Sequence, residues 1–211
     1  MAKKHFLITA GGTREYIDPV RFISNASSGK MGYALAQAAI KAGHKVSLIT
    51  TVKNPQFKIK NSKLKIVNVE TAAQMFAAVK KHLKNCNCLI MAAAVSDYTP
   101  AKVSKTKIKK ADKDLVIKLK PTADILKWAG KNKKANQVAV GFALEDKSLR
   151  ANAEKKLKSK NLDMIIANSP SVIGAEKSTV QIKCKTGKWL VLPKTIKSVI
   201  AEKIIRLIEA C

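Results

Sequence analysis

A chain of 211 residues with a 46% hydrophobic fraction can bury one good-sized core and is composed like an ordinary globular protein. Nowhere does it approach the run of about eighteen apolar residues that spans a membrane. Its N-terminal apolar run stops at Gly11-Gly12, too soon for a signal-peptide core and with no small-residue cleavage pattern, so a cytoplasmic, soluble protein is expected. The net charge of +27 invites a nucleic-acid reading, but two details oppose it. Of 41 basic residues only Arg14, Arg21, Arg150 and Arg206 are arginine, the preferred base-reading fork, and aromatics make up only 5%, too few for a stacking platform. A lysine surface spread along the whole chain still concentrates polyanions, a nucleoside triphosphate included.

The elements alternate. His5–Ala10 reads as a buried strand broken by Gly11-Gly12, and residues 29–42 as a helix with Gly43 past its end. Lys45–Val52 and Leu64–Val69 read as strands, and Thr71 as the cap of a helix running to about Lys84. Cys88–Val95 is a continuous apolar run, as in the buried middle of a parallel sheet. Residues 96–111 are polar, lysine-rich and without period. Leu115–Leu119 then reads as a short strand, Thr122–Lys131 as a helix capped by Thr122, Gln137–Leu144 as a strand, Ser148–Lys160 as a basic helix and Leu162–Ala167 as a strand. Ser178–Lys185 and Lys188–Leu192 alternate across Thr186-Gly187 as a hairpin, and Lys194–Ala210 is an amphipathic helix. This order predicts one α/β domain over residues 1–211, a Rossmann-like three-layer sandwich with a mostly parallel sheet and a C-terminal β-hairpin. In such sheets ligands bind beyond the carboxyl ends of the strands, which puts the loops 11–28, 96–110 and 142–147 on the functional rim.

Cys86, Cys88, Cys184 and Cys211 lack metal-knuckle spacing and read as reduced thiols, and His5, His44 and His82 join no ligand or triad pattern, so no metal site is expected in the protein. The turn Gly11-Gly12-Thr13-Arg14 offers backbone N–H groups to a phosphate, although two glycines after a strand are also an ordinary tight turn. More informative is the polar segment from Asp18 through Arg21, Asn25, Ser27, Ser28 and Gly29 to Lys30, which runs straight into a helix N-terminus and forms an anion site there. Both standard fingerprints fail. No glycine stands five residues before Gly29 and Met31 replaces the Ser or Thr of a P-loop. The first strand is not followed by G-x-G-x-x-G, and the second ends without the acidic ribose ligand, which disfavours an NAD-dependent oxidoreductase. Ala93 and Ala94, at the end of the buried run, let a flat ligand lie on the backbone, and Asp97 follows as a hydrogen-bond acceptor or a plain loop cap. Lys107-Ile108-Lys109-Lys110 is either a solvated lysine run or a mobile segment that closes on a triphosphate.

Taken together, Thr13-Arg14-Glu15, the segment from Asp18 to Asn25 with Ser27-Ser28-Gly29-Lys30-Met31-Gly32, Ala93-Ala94-Val95-Ser96-Asp97-Tyr98 and Lys107-Ile108-Lys109-Lys110 resemble the phosphopantothenoylcysteine synthetases. Val140-Gly141-Phe142-Ala143, Lys160-Asn161-Leu162-Asp163 and Ala167-Asn168 fit as well, so the likeness covers nearly the whole chain. Because the chain begins at the first strand, it resembles a stand-alone version of an activity often fused behind a flavin-dependent decarboxylase. The resemblance implies a two-step ligation of 4′-phosphopantothenate to cysteine through an acyl-nucleotide, with Mg²⁺ and CTP (or ATP) as co-substrate, CTP being expected. It further implies that Asn25 holds the carboxylate, Arg21 supports its loop and Lys107 closes over the phosphates. Asp97, Phe142, Lys156 and Lys160 are then expected to line the nucleotide site, with Asp124 and Ile125 in a loop where Lys120 and Pro121 fit the family pattern and Thr122-Ala123 departs from it. A homodimer is implied, with the hairpin at Gly187 as a dimer element, and a separate decarboxylase acting next in the pathway. Of the competing readings, a basic nucleic-acid-binding module leaves the Asn25 segment unexplained, and an oxidoreductase lacks both cofactor marks.

Overall fold

The structure, a computed structural model, describes residues 2–53, 61–169 and 176–210. Among these the central sheet has eight strands: β1 (His5–Ala10), β4 (Lys45–Thr50), β5 (Leu64–Asn68), β6 (Cys88–Met91), β9 (Val138–Leu144), β10 (Met164–Asn168), β11 (Lys177–Cys184) and β12 (Leu190–Ile196). Two small antiparallel pairs lie outside it, β2 (Arg14–Tyr16) with β3 (Phe22–Ser24) and β7 (Tyr98–Pro100) with β8 (Leu119–Pro121). The helices are α1 (Lys30–Lys41), α2 (Ala72–Leu83), α3 (Ile125–Asn132), α4 (Leu149–Ser159) and α5 (Lys197–Glu209).

Strand order is β12-β11-β10-β9-β6-β1-β4-β5. The pairs from β5 to β10 are all parallel, whereas β11 and β12 are antiparallel additions at one edge. Counting only the parallel strands in chain order gives 3-2-1-4-5-6, the doubly wound arrangement in which strand order reverses between β1 and β6. Strand alternation sends Phe6, Ile8 and Ala10 of β1 into a core with α1 and α5, while Leu7 joins α2, α3 and α4 on the opposite face. The predicted fold class is therefore the observed one.

Several boundaries moved. The apolar run 88–95 leaves the ladder after Met91, because residues 92–95 cross to bridge Gly12 with Ala94. Leu115–Leu119 is not a strand. Val116 is 88% exposed with no layer to cover an apolar face, and pairing begins only where Leu119 meets Pro100. α3 starts at Ile125 on a different cap: the Asp124 carboxylate accepts from Lys127 N at 2.9 Å, while the Thr122 hydroxyl donates to Ser96 O at 2.6 Å. The C-terminal helix starts later than its periodicity suggests, because β12 stays paired to β11 as far as Ile196. α2 carries the expected Thr71 cap as a full capping box with Gln74. Residue Cys211 lies outside the described residues; Cys86 and Cys88 are buried, and burial pushes the Cys86 thiol up to about 12, leaving it inert as a nucleophile.

One close approach sets the distance between α3 and α4. A Cβ on Gly130 would stand 1.8 Å from the carbonyl oxygen of Lys160, and Asn161 donates its amide to Gly130 O at 2.9 Å from a left-handed backbone. Gly130→Ala is expected to lower stability by about 2 kcal/mol. Helix propensity returns at most about 1 kcal/mol, while forcing two backbones apart costs roughly 3. The midpoint of a urea melt reads the result, and an unchanged midpoint would mean the two helices are not held at this spacing.

Candidate active site

The carboxyl ends of β1 and β6 flank the reversal point, and the loops leaving them carry the residues singled out above. After β1 the chain turns at Gly11, whose φ of 88° is open to glycine, and an added Cβ there would lie 2.2 Å from Thr51 Oγ1. Eighteen positions later Gly29 caps α1 at φ 76°, and a Cβ on it would fall 3.3 Å from the backbone nitrogen of Gly11. The glycine turn and the α1 N-terminus thus meet, bringing Gly11, Gly12, Ser27, Ser28 and Gly29 to one end of a helix whose first N–H groups have no intrahelical acceptor. Lys30 forms an ion pair with Glu176 across this end.

Between the two turns the chain makes the β2–β3 hairpin, where the sequence reads only as a polar segment. Buried Glu15 fastens it by accepting from the first α2 amide, Ala72 N, at 2.8 Å. Thr13 Oγ1 accepts from Ser96 N at 3.0 Å and Thr9 Oγ1 from Ala93 N at 3.1 Å, so two hydroxyls of the first strand and turn hold the chain that follows β6. Thr13 is a predicted site residue through its place in the glycine turn rather than through this hydroxyl; Thr9 was missed, and a hydroxyl within an apolar run was the available signal.

Asn25 leaves β3 and donates from Nδ2 to Ala94 O at 3.3 Å, the same carbonyl that accepts from Thr13 N at 3.2 Å. One amide hydrogen is thereby spent on fixing the side chain and the second remains open, since Asn25 is exposed. Arg21 stands four residues upstream, gripping the buried Asp18 carboxylate from Nη2 at 2.6 Å and Nε at 3.0 Å. That guanidinium, then backbone N–H groups of Val20, Ile108 and Arg21, outweigh burial and hold the Asp18 carboxyl well below the usual range.

Past β6 opens a cavity of about 170 Å³ lined by Ala93, Asp97, Asp124, Ile125, Phe142, Lys156 and Lys160 among others. All seven are sequence-predicted, from four separate segments. Lys156 donates to Phe142 O at 2.7 Å, and burial, with the neighbouring Lys160 charge, depresses its ammonium below the ordinary lysine range. Lys160 pairs with Asp124 at 2.8 Å. Burial pushes the Asp124 carboxyl up, but the Lys160 and Lys127 hydrogen bonds overcome it and hold it low. Lys107 lies on the exposed segment between β7 and β8 and does not line this cavity. Most of the predicted residues accordingly fall into two groups, one at the α1 N-terminus and one around the cavity, with Asn25 and Ala94 between them; Arg21 and Lys107 belong to neither. Among the described residues no cluster of three or more His, Cys, Asp or Glu side chains could hold a metal ion, and no helix is long and apolar enough to cross a membrane.

Comparison with known proteins agrees with this fold. The model of the DNA/pantothenate metabolism flavoprotein C-terminal domain matches residues 1–211. The chain is 43% identical over 214 residues to the coenzyme A biosynthesis bifunctional protein CoaBC of Bacillus subtilis, covering 98% of this chain and 51% of that protein. A cysteine/cysteine sulfinic acid decarboxylase from an unknown prokaryotic organism is 46% identical over 82% of this chain and 47% of its own length. The chain thus spans about half the length of the curated relatives it matches. The solved C-terminal domain of a CoaBC superposes with a TM-score of 0.81 at 38% identity, covering 98% of this chain and 94% of that one. The chain belongs to the DNA/pantothenate metabolism flavoprotein C-terminal domain family, with the fold of the CoaBC C-terminal domain.

Proposed function

We propose that residues 1–211 form a phosphopantothenate–cysteine ligase domain, acting in the cytoplasm in coenzyme A biosynthesis. The observation that carries this reading is the division of the site into two anion-suited places joined at Asn25. One is the α1 N-terminus, which suits the phosphate of 4′-phosphopantothenate. The other is the cavity with Lys156 and Lys160, which suits a nucleotide; Ala93 gives it a flat wall and Phe142 an aromatic one. A substrate phosphate bound at the first place extends its carboxylate toward Asn25, whose open N–H can hold one carboxylate oxygen. The other oxygen attacks the α-phosphorus, the bond to pyrophosphate breaks, and an acyl-nucleotide forms. Cysteine's amine then attacks the acyl carbon, the nucleoside monophosphate leaves with the bonding electron pair, and the amine proton passes to solvent. This chain's work is alignment and charge neutralisation rather than covalent catalysis.

CTP is the proposed nucleotide, with ATP the alternative. Mg²⁺ fits this donor set as an ion carried by the triphosphate: the cavity offers two exposed carboxylates, Asp97 and Asp124, the second paired to Lys160, and Mg²⁺ needs no more than one or two alongside phosphate oxygens and water. When bound it supplies neutralisation of the phosphate charge. A homodimer is proposed, and a flavin-dependent decarboxylase, separate or fused, to act on the product. Exposed Val191 and Leu190 on β12, by the Gly187 turn, offer an apolar edge to a second copy.

Pyrophosphate release from the purified protein tests the reading, with Mg²⁺ and either CTP or ATP. Release is expected to need 4′-phosphopantothenate and to turn over many times only when cysteine is added. Silence with both nucleotides would leave the family fold without this chemistry.

A further inference from the structure

We propose that Asp18 is a positioning residue that holds the Lys107 segment in place, so that the turn bearing Asn25 and the loop over the nucleotide form one unit. The inference rests on the ligase reading for the role of Lys107, but its geometry stands alone. Asp18 is fully buried on a turn 89 residues upstream of Lys107. Its Oδ1 accepts from Val20 N and Arg21 N, each at 2.8 Å, which closes the turn locally. Its Oδ2 reaches further, accepting from Ile108 N at 3.1 Å as well as from the Arg21 guanidinium. Arg21 Nη2 also donates to Ile108 O at 2.6 Å, so both polar groups of the Ile108 backbone are tied to the Asp18–Arg21 pair. A second tie sits four residues earlier, where Ser104 N donates to Ile17 O at 2.9 Å. Fixed at Ser104 and Ile108, the chain between them is a short exposed arch with Lys107 at its downstream foot.

A lone lysine loop would have to be ordered afresh each time a triphosphate arrived, with the entropy of each residue set against binding. Two anchors shorten what remains to be ordered to the arch itself. The same turn runs through β3 directly to Asn25, so the group proposed for the carboxylate and the group proposed for the phosphates share one support. A buried carboxylate with this many donors is also a poor choice for mere turn closure, because Oδ1 alone satisfies the local amides. Asparagine at position 18 can keep those two bonds, but its NH₂ would then face the donors of Arg21 and Ile108, undoing the Arg21 ion pair and the tie to Ile108 while the amides of the turn stay bonded.

Two measurements on the full chain test this, with Asp18→Asn, Lys107→Ala and the double variant. Hydrogen exchange without substrates is expected to accelerate at least tenfold across residues 104–110 in Asp18→Asn while α1 and the central strands keep their protection. In the pyrophosphate assay the variant's KM for the nucleotide is expected to rise about tenfold with a smaller change in kcat, and the double variant to be no worse than Lys107→Ala alone. Unchanged exchange at 104–110, or losses that multiply in the double variant, would overturn the proposal. Should Asp18→Asn fail to fold, Arg21→Gln takes its place: it keeps the Asp18–Ile108 bond and drops the tie to Ile108 O, so exchange must still quicken locally. Wild-type protein inactive in the assay would count against the ligase reading alone, since exchange tests the latch without substrates.

Discussion

Alanine at Gly12 is expected to lower turnover by about 10²-fold or more while the protein stays folded. The Cβ it adds would stand 2.6 Å from the backbone oxygen of Asn25 and 3.2 Å from Ser24 Oγ. A serine hydroxyl can rotate away, but a carbonyl at 2.6 Å cannot, and Asn25 O is itself held as acceptor of Ser27 N at 2.8 Å. The turn must therefore move on one side or the other of the contact. On the Gly12 side the chain is bridged to Ala94 and pinned to the buried sheet; on the Asn25 side it is exposed. Asn25 gives way, carrying its amide off Ala94 O. A displacement near 1 Å at a group that aligns two reactants costs on the order of 10²-fold, whereas the fold loses a single long hydrogen bond. Steady-state kinetics beside a thermal melt check this. A strong fall in kcat with Tm within a few degrees is the expected pair, and Asn25→Ala should show the same pattern. Wild-type kinetics in Gly12→Ala would mean the Asn25 carbonyl does not constrain the site.

How much of this could be read beforehand depends on how each element is stabilised. β1, α1 and α2 were legible because long apolar periods and local caps specify them: β1 lies where its run of apolar residues put it, and Thr71 caps α2 with Gln74. The β2–β3 hairpin was not legible. Three residues per strand are too few to show alternation, and its position depends on Glu15 reaching α2 and Asp18 reaching Ile108, partners 57 and 90 residues away. Asp124 and Thr122 show the same limit at one helix end. Both are good cap residues, and the choice fell to tertiary structure once Ser96 O claimed the threonine hydroxyl. The gathering of these residues at one cavity follows only in part from parallel topology: Asp97 and Asp124 lie in the chain that follows β6, whereas Phe142 sits within β9 and Lys156 and Lys160 reach in from the end of α4; their roles came from resemblance and not from spacing.

Lys156 offers a separate test, because its contributions to stability and to binding have opposite signs. Its half-buried ammonium donates to a carbonyl, and its ionisation is depressed chiefly by burial and then by Lys160. For a lysine whose folded pKa lies below its unfolded value, the unfolded chain binds the proton more readily. The folded state therefore bears a penalty that is absent above the ordinary lysine range and grows as pH falls to the folded value; at neutral pH it is present in full. Lys156→Met keeps the length and apolar stem of the side chain and removes that charge. Its Tm at pH 7 is expected to equal or exceed that of the wild type, with any gain shrinking as pH rises toward the ordinary lysine range. Nucleotide affinity should move the other way, falling about 10²-fold, because a desolvated ammonium facing a phosphate loses a charge-assisted bond of up to about 3 kcal/mol. Melting curves across pH and a nucleotide titration by calorimetry separate the two effects. Loss of Tm together with unchanged nucleotide binding would make Lys156 a structural cation, and the nucleotide would have to be sought elsewhere on the rim.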